Sequence, residues 1–363
     1  MHDKKEWTLY VKKFTNRYLI NGLSGMALGL FSTLLIGLIL KQIGSFMPNL
    51  WFGQFLMTLG QIAAVLTGVG IAVGVAHNLG ASKLVLYSSV LNGLIGAYAV
   101  KLVNGQLITE GGILLSGAGD PLGAFLAAVI GVEIGRLVAG KTKLDILITP
   151  AVTIIAGSIT GLIIGPPVSS FMNVLGDFIK VATELQPFFM GIVVSVSMGI
   201  FLTLPISSAA ISMILGLSGI AAGASTAGCA AQMIGFAVMS YRENKINGLL
   251  AQGLGTSMLQ MPNIIKNPKI WIPPILASAI TGPLATMVFK MENVAAGAGM
   301  GTSGLVGPIL TWQTMSQAET SQTVLLIKIL AVYFIIPAIL TLLFASFMRK
   351  KNWIKDGDLK LEV

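Results

Sequence analysis

The stretches GLGTSMLQMP, at Gly253–Pro262, and GMGTSGLVGP, at Gly299–Pro308, share the pattern GxGTSxLxxP and are identical at six of ten positions. One apolar stretch, near Trp271–Phe289, separates them. Because this stretch is long enough to cross a bilayer once, the two copies should approach the membrane from opposite faces. Such pairs are typical of transporters with inverted repeats. Two glycine-rich helix-packing segments are the alternative interpretation.

The composition indicates an integral membrane protein. Hydrophobic residues make up 54% of the chain and charged residues 10%, with a mean hydropathy of +0.84. A soluble domain carries about a quarter charged residues. Continuous apolar runs such as Leu325–Phe347 exclude the alternation of a membrane β-barrel. We therefore expect an all-α polytopic membrane protein with about ten transmembrane helices and two re-entrant hairpins in an inverted repeat.

The apolar stretches place ten spans along the chain. They are Leu19–Ile43, Trp51–Val75, Leu84–Leu102, Gly119–Val138, Ile146–Ile164, Pro187–Pro205, Ala209–Ala222, Gly228–Tyr241, Trp271–Phe289 and Leu325–Phe347. The two hairpins are expected near residues 246–266 and 295–317, and Val168–Leu185 has the amphipathic pattern of an interfacial helix.

These spans divide the chain into a scaffold half and a transport half. Residues 1–17 form a cytoplasmic N-terminal segment, 18–165 the scaffold half, 166–186 an amphipathic linker, 187–348 the transport half and 349–363 a cytoplasmic tail.

The distribution of basic residues sets the predicted orientation, since short cytoplasmic loops collect Lys and Arg. With the N-terminus inside, the inside loops and tail hold Lys83, Arg136, Lys141, Lys143, Arg242, Lys245, Lys266, Lys269, Arg349, Lys350, Lys351, Lys355 and Lys360. Both termini are then cytoplasmic, and the first hairpin enters from inside. The net charge of +9 is spread over loops, which argues against a nucleic-acid partner.

Hydroxyl and amide side chains in and near the two copies are the candidate solute ligands. Thr256, Ser257, Thr302 and Ser303 follow the glycines of each copy, where an unwound tip exposes polar groups. Further candidates lie around these tips, namely Gln252, Gln260, Asn263 and Gln313, together with Ser207 in the break TLPISS. The alternative role of these amides is hydrogen bonding between helices.

Few ionisable groups lie within the apolar spans, and these are candidates for coupling or for a cavity. They are Glu110 and Asp120, with His77 and Asn78 at the end of the second span, where an interfacial pair is the alternative. Glu133 and Arg136 have the spacing of a structural ion pair. No catalytic residue, metal cluster, cofactor motif or ATP-binding loop is predicted.

Three further stretches, GDPLGAFLAAVIGVEIG at Gly119–Gly135, TLPISSAAI at Thr203–Ile211 and QGLGTSMLQMPNIIKNP at Gln252–Pro268, carry a family resemblance. The chain resembles the membrane-embedded enzyme IIC component of the bacterial phosphotransferase system. It is most similar to a divergent branch that includes PfoR-type putative toxin regulators. The resemblance implies a homodimer formed through the first half, elevator-like movement of the second half, and separate enzyme IIA and IIB proteins. The family's GITEP-like glutamate has its nearest string at Ile108–Gly112, in the other half, so no such role passes to Glu110.

We therefore expect a permease in the bacterial inner membrane that moves a small hydroxylated solute, a sugar or related compound, by alternating access. Two alternatives stay open. One is an ion-coupled transporter of a small organic solute, and the other is a membrane sensor or regulator that keeps the permease fold.

Overall fold

The computed structural model describes residues 11–109, 111–316 and 321–361, and most of them are helical. The helices are α1 Val11–Ser45, α2 Trp51–Val65, α3 Thr67–Asn78, α4 Lys83–Val103, α5 Pro121–Val138, α6 Asp145–Thr183, α7 Pro187–Thr203, α8 Ser208–Ile214, α9 Gly219–Met239, α10 Tyr241–Leu250, α11 Met261–Lys266, α12 Pro268–Val288, α13 Ala295–Ala298, α14 Val306–Met315 and α15 Gln322–Lys350. Strands β1, Ile108–Thr109, and β2, Gly112–Ile113, form one short antiparallel hairpin.

Seven of these helices are long and apolar enough to cross a membrane, namely α1, α4, α5, α6, α9, α12 and α15. The pair α2 and α3, bent by 54° where they meet, makes an eighth candidate within the described residues. The expected class, an all-α polytopic membrane protein, is therefore confirmed. The number of spans and the inverted repeat stay predictions.

The structure divides the region of the seventh and eighth expected spans differently. Helix α8 has only 7 residues, or about 10 Å, whereas the hydrocarbon core of a bilayer is about 30 Å thick. The φ angles of Gly216 and Gly219 are 59° and 58°, and this left-handed backbone ends one helix before the next begins. The stretch Gly228–Tyr241 belongs mostly to α9, a single helix of 21 residues.

Helices α7 and α9 run parallel. A Cβ at Gly199 would lie 2.7 Å from the oxygen of Gly228, and one helical turn later Thr203 lies 3.4 Å from Gln232. Consecutive parallel helices need a connection that carries the chain back to the starting end. Residues 204–218, with α8 in their middle, make this return, so the TLPISS break is more than a tight turn.

The predicted amphipathic linker is continuous with the span before it, because α6 extends over 39 residues and includes Pro166 and Pro167. The chain forms two compact units, the first reaching Ser170 and the second beginning at Phe171, so their boundary lies inside the predicted linker. That this segment lies at a membrane interface stays a prediction.

In the first unit, α1 packs against α2 and α3 through facing glycines. The pairs are Gly25 with Gly74, Gly29 with Gly70, Gly37 with Gly60, and Gly44 with Gly53. A Cβ on either glycine of the first three pairs, or on Gly44, would overlap with the opposite helix, and a Cβ on Gly53 would overlap with the main-chain oxygen of Met47. Small residues let membrane helices approach at the level of their backbones. The antiparallel order of the pairs makes α1 and the α2–α3 pair one hairpin.

An ion pair joins helices of the first unit at the predicted cytoplasmic end. Arg17 of α1 donates to Glu133 of α5 at 2.7 Å through Nε, and Arg136 lies 3.5 Å from the same carboxylate. The predicted pairing of Glu133 with Arg136 is present, but Arg17 makes the shorter contact. Its role is to hold α1 against α5.

The second unit is built around α9, which is buried on almost all sides. Phe236 and Met233 of this helix are fully buried, as are Met198 of α7 and Tyr333 of α15. Because α9 is enclosed by protein, its polar side chains must find protein partners or a ligand.

Candidate functional site

The first copy of GxGTSxLxxP interrupts the helical chain. After α10, a π-helical turn at Ala251–Gly255 ends at Thr256, whose φ of −157° and ψ of 144° are extended. A short 3₁₀ turn, Ser257–Gln260, leads into α11, where Pro262 lies in the first turn. The Thr256 Oγ1 accepts the main-chain N–H of Met258 at 3.1 Å and so caps this turn. The helix is therefore broken at this motif, and we call the break the first tip; that it belongs to a re-entrant hairpin stays a prediction.

The second copy also breaks a helix, with a more contorted backbone. Gly301, Gly304 and Leu305 have φ angles of 53°, 53° and 59° between α13 and α14. A Cβ at Gly301 would lie 2.7 Å from the carbonyl carbon of Cys229 in α9, so this tip approaches α9 at backbone level. Only glycine satisfies both the backbone angle and the space at position 301.

The two tips contact each other. Thr302 Oγ1 of the second copy donates to the main-chain oxygen of Gly253, the first residue of the first copy, at 2.6 Å. Both tips pack on α9, because Thr302 Oγ1 lies 3.6 Å from Met233 Sδ and a Cβ on Gly253 would lie 3.5 Å from Ala237. The structure thus brings together residues that are 49 positions apart in the sequence.

A buried polar network connects the first tip to three helices. Ser257 Oγ lies 2.8 Å from Thr203 Oγ1 at the end of α7, and Thr203 lies 3.4 Å from Gln232 Oε1 of α9. Gln232 Oε1 also accepts from Trp271 Nε1 of α12 at 3.0 Å. Sequence reasoning missed Gln232 and Trp271. Gln232 is the only amide side chain in the apolar helix α9, and that isolation was the available signal.

The hydroxyl groups of the two tips differ in what they leave available. The hydrogen bond between Thr203 Oγ1 and Ser257 Oγ can run in either direction, because Thr203 Oγ1 also lies 3.1 Å from the main-chain oxygen of Gly199 and 3.4 Å from Gln232 Oε1. Thr302 uses its proton on Gly253. Thr302 thus presents acceptor lone pairs, which suit a ligand that donates hydrogen bonds.

Ser303 differs from the other three tip hydroxyls. It is 2% exposed, and its Oγ has no hydrogen-bond partner among the described residues. A buried hydroxyl without a partner is unfavourable in a folded protein. Ser303 is therefore the tip hydroxyl that can still form hydrogen bonds to a ligand in this conformation.

The amide candidates of the first copy are joined in a chain. Gln252 donates to Ser240 Oγ at 2.8 Å, Gln260 donates to Gln252 Oε1 at 2.9 Å, and Asn263 donates to Gln260 Oε1 at 2.8 Å. Gln260 and Asn263 also donate to main-chain oxygens of the segment after α15, those of Leu359 and Lys360. In this conformation the amides act as the interhelical hydrogen bonds that were the alternative interpretation.

The remaining candidates of the second unit are Gln313 and Ser207. Gln313 is exposed on α14, and Ser207 is half-buried in the break between α7 and α8. A cavity of about 480 Å³ lies behind Gly253, and every side chain that lines it is apolar, from Ile234 and Phe334 among others. Its lining cannot satisfy the hydroxyls of a polyol.

The ionisable candidates belong to the first unit. His77 is exposed in the last turn of α3, and Asn78 donates to the main-chain oxygen of Asn21 at 3.2 Å. Asp120 caps α5 by accepting the main-chain N–H of Leu122 at 2.9 Å. Glu110 lies outside the described residues.

A family model described as Phosphotransferase system, EIIC matches residues 20–361. The chain belongs to this family. It is accordingly a multi-pass membrane protein of the sugar-permease type, and the resemblance stated from the sequence is confirmed at the level of the family. No curated protein matches the chain. Membership of the PfoR-type branch stays a prediction.

Proposed function

We propose that this EIIC-family chain is a permease that moves a small, neutral, hydroxylated solute, a sugar or related compound, past the tips of the two GxGTSxLxxP copies. The observation that carries the proposal is the hydrogen bond from Thr302 to Gly253, which joins two unwound, hydroxyl-bearing tips on the buried helix α9. Membership of the family supports this class of solute, and the contact between the tips supports this location of the site.

The chemistry of the tips favours a neutral solute. Neither ten-residue copy contains a charged side chain. Thr302 presents acceptor lone pairs, and Ser303 has a hydroxyl without a partner among the described residues, so a sugar hydroxyl can both donate and accept here. An anionic solute would meet the lone pairs of Thr302 and lose its hydration without a positive partner.

The movement proposed for this site is elevator-type alternating access by the second half, residues 187–348, against the scaffold half. The basic loops support cytoplasmic termini in a bacterial inner membrane, and the family supports a homodimer with separate enzyme IIA and IIB partners. In this scheme the solute is phosphorylated by those partners on the cytoplasmic side, since the two copies offer no nucleophile-base pair.

Uptake by proteoliposomes tests the proposal. The purified chain should accumulate at least one radiolabelled compound from a panel of neutral hexoses and hexitols, and alanine at Thr256, Ser257, Thr302 and Ser303 should abolish that uptake. Thr314→Ala is the matched control, because Thr314 bonds only within its own helix, to Leu310. Indifference of uptake to the four alanines, at normal expression, would remove these residues from the site.

The same assay separates the alternatives. Uptake that needs no phosphoenolpyruvate or partner proteins but follows an imposed ion gradient would favour an ion-coupled transporter. Saturable binding of a hexose without flux, together with transcriptional changes on deletion, would favour a membrane sensor.

A further inference from the structure

The chain that follows α15 folds back against the first copy. Leu359 is completely buried, and Ile354 is 2% exposed. At the end of α15, Arg349 pairs with Glu243 of α10 at 2.8 Å and with Asp356 at 3.0 Å, which holds the chain where it returns. Buried apolar side chains and a paired arginine show that this segment is docked.

Amide side chains bind the main chain of the segment Gly357–Leu361, here called the strap. Asn244 of α10 donates to the oxygen of Leu359 at 2.8 Å and accepts the N–H of Leu361 at 2.9 Å. These two bonds, two residues apart, are the pattern by which a neighbouring strand pairs with an extended chain. The strap is therefore held like a bound peptide.

The main chain of the strap occupies hydrogen-bond donors of two candidate solute ligands. Gln260 has two N–H groups, one bonded to Gln252 Oε1 at 2.9 Å and the other to the oxygen of Leu359 at 3.0 Å. Asn263 also uses both, one on Gln260 and the other on the oxygen of Lys360 at 2.9 Å. An amide nitrogen has no further donor to offer. Departure of the strap would free one donor on each of these amides.

We propose that the strap is a displaceable internal ligand of the first copy, which occupies the donors of Gln260 and Asn263 and keeps the tip at Ser257 closed. The inference rests on the proposed function only in naming a solute as the competitor. Its hydrogen bonds to Asn244, Gln260 and Asn263 suit release, because they are neutral main-chain hydrogen bonds, which exchange with water at a small net cost, and because Gly357 and Lys360 are exposed. Asn267, which donates to the Asp358 carboxylate at 2.7 Å, holds the start of the strap.

A cysteine reporter on the strap tests its release. With Leu359→Cys as reporter, a membrane-impermeant maleimide should react slowly in the otherwise unaltered chain, where the native Cys229 is fully buried. Asn244→Ala removes two strap contacts and should raise the labelling rate about tenfold. Asn247→Ala, at an exposed asparagine of the same helix, is the matched control and should leave the rate unchanged. Equal rates in the two variants would overturn the proposal.

A second reporter, Ser257→Cys, tests whether the strap closes the tip. Ser257 is fully buried, so its labelling should be slow in the full chain and about tenfold faster with Asn244→Ala. Deletion of residues 358–363 leaves the sequence of the first copy intact and should have the same effect. If the Ser257→Cys reporter reacts at one rate with and without residues 358–363, the segment is a surface anchor and the proposal fails.

Labelling requires no solute, so it separates this proposal from the proposed function. Accelerated labelling in the strap variants with no uptake of any hexose or hexitol would contradict the proposed function. The same result would still support the release of the strap. A hexose that is taken up should accelerate labelling of the Leu359→Cys reporter. A transported hexose that leaves this rate unchanged would overturn the competition between solute and strap.

Discussion

Thr302 and Gly253 join the two copies of the repeated motif through a hydrogen bond of 2.6 Å from the threonine hydroxyl to the glycine main-chain oxygen. The acceptor is a main-chain group in a π-helical turn, so the contact depends on the shape of the first copy and not on one of its side chains. Opening a path between the tips requires this bond to break. The Thr302 hydroxyl is then free to bind a solute.

Thr302→Val should therefore weaken both stability and transport. Valine matches the shape but leaves the buried oxygen of Gly253 without its partner, at a cost of about 1–3 kcal/mol. We expect a lower midpoint of thermal unfolding and reduced hexose uptake, measured in the same preparation. Thr314→Val, which loses only a bond within its own helix, should be much milder. Equal effects of the two valines would show that the contact between the tips has no special role.

Ser303→Ala should separate binding from folding. Its hydroxyl is buried without a partner, so removing it should leave the midpoint of thermal unfolding unchanged or raise it. Uptake should nevertheless fall, with a raised KM, if this hydroxyl binds the solute. An unchanged KM at full uptake would exclude Ser303 from the site.

Gln232→Leu should disrupt the first tip from a distance. The substitution leaves Trp271 Nε1 without its acceptor and removes one of the two acceptors beside Thr203, at a cost of about 1–3 kcal/mol. We expect lower thermal stability and reduced uptake. Gln322→Leu, at an exposed glutamine of α15, is the control and should show neither effect.

Gly29→Ala should destabilise the first unit, because the added Cβ would overlap with the main chain of Gly70. Overpacking of this kind costs about 1–3 kcal/mol or more when the obstacle is backbone. Gly111→Ala adds a methyl group in open space and is the control. Thermal unfolding of the purified variants measures the difference, and equal midpoints would contradict the backbone-level contact.

The helix breaks at both copies could be predicted because GxGTS joins flexible backbone to a following proline, and these are local properties. The return of the chain between the parallel helices α7 and α9 could not be predicted. The run Ser208–Met239 is apolar nearly throughout, so hydropathy places two spans where Gly216 and Gly219 leave one short helix and one long helix. Hydropathy measures the length of an apolar stretch and not the direction of the chain.

The hydrogen-bond partners of the amide candidates also could not be predicted from the sequence. Gln260 and Asn263 bond to main-chain oxygens of Leu359 and Lys360, about a hundred residues away, and every residue carries such an oxygen. No side-chain pattern marks which one will be the acceptor. In contrast, the sequence shows Gln232 as an isolated amide in an apolar helix, which is a recognisable signal. Its hydrogen-bond partners could be identified only from the structure.

The glycine pairs of the first unit also restrict how that unit can deform. Four pairs, from Gly25 with Gly74 to Gly44 with Gly53, follow one antiparallel register. Sliding α1 along α2 and α3 by one helical turn would bring Thr33 and Lys41 to the crossings that Gly29 and Gly37 occupy. Their side chains would then meet the main chain of the opposite helix, so the glycine pairs favour a single register of this hairpin.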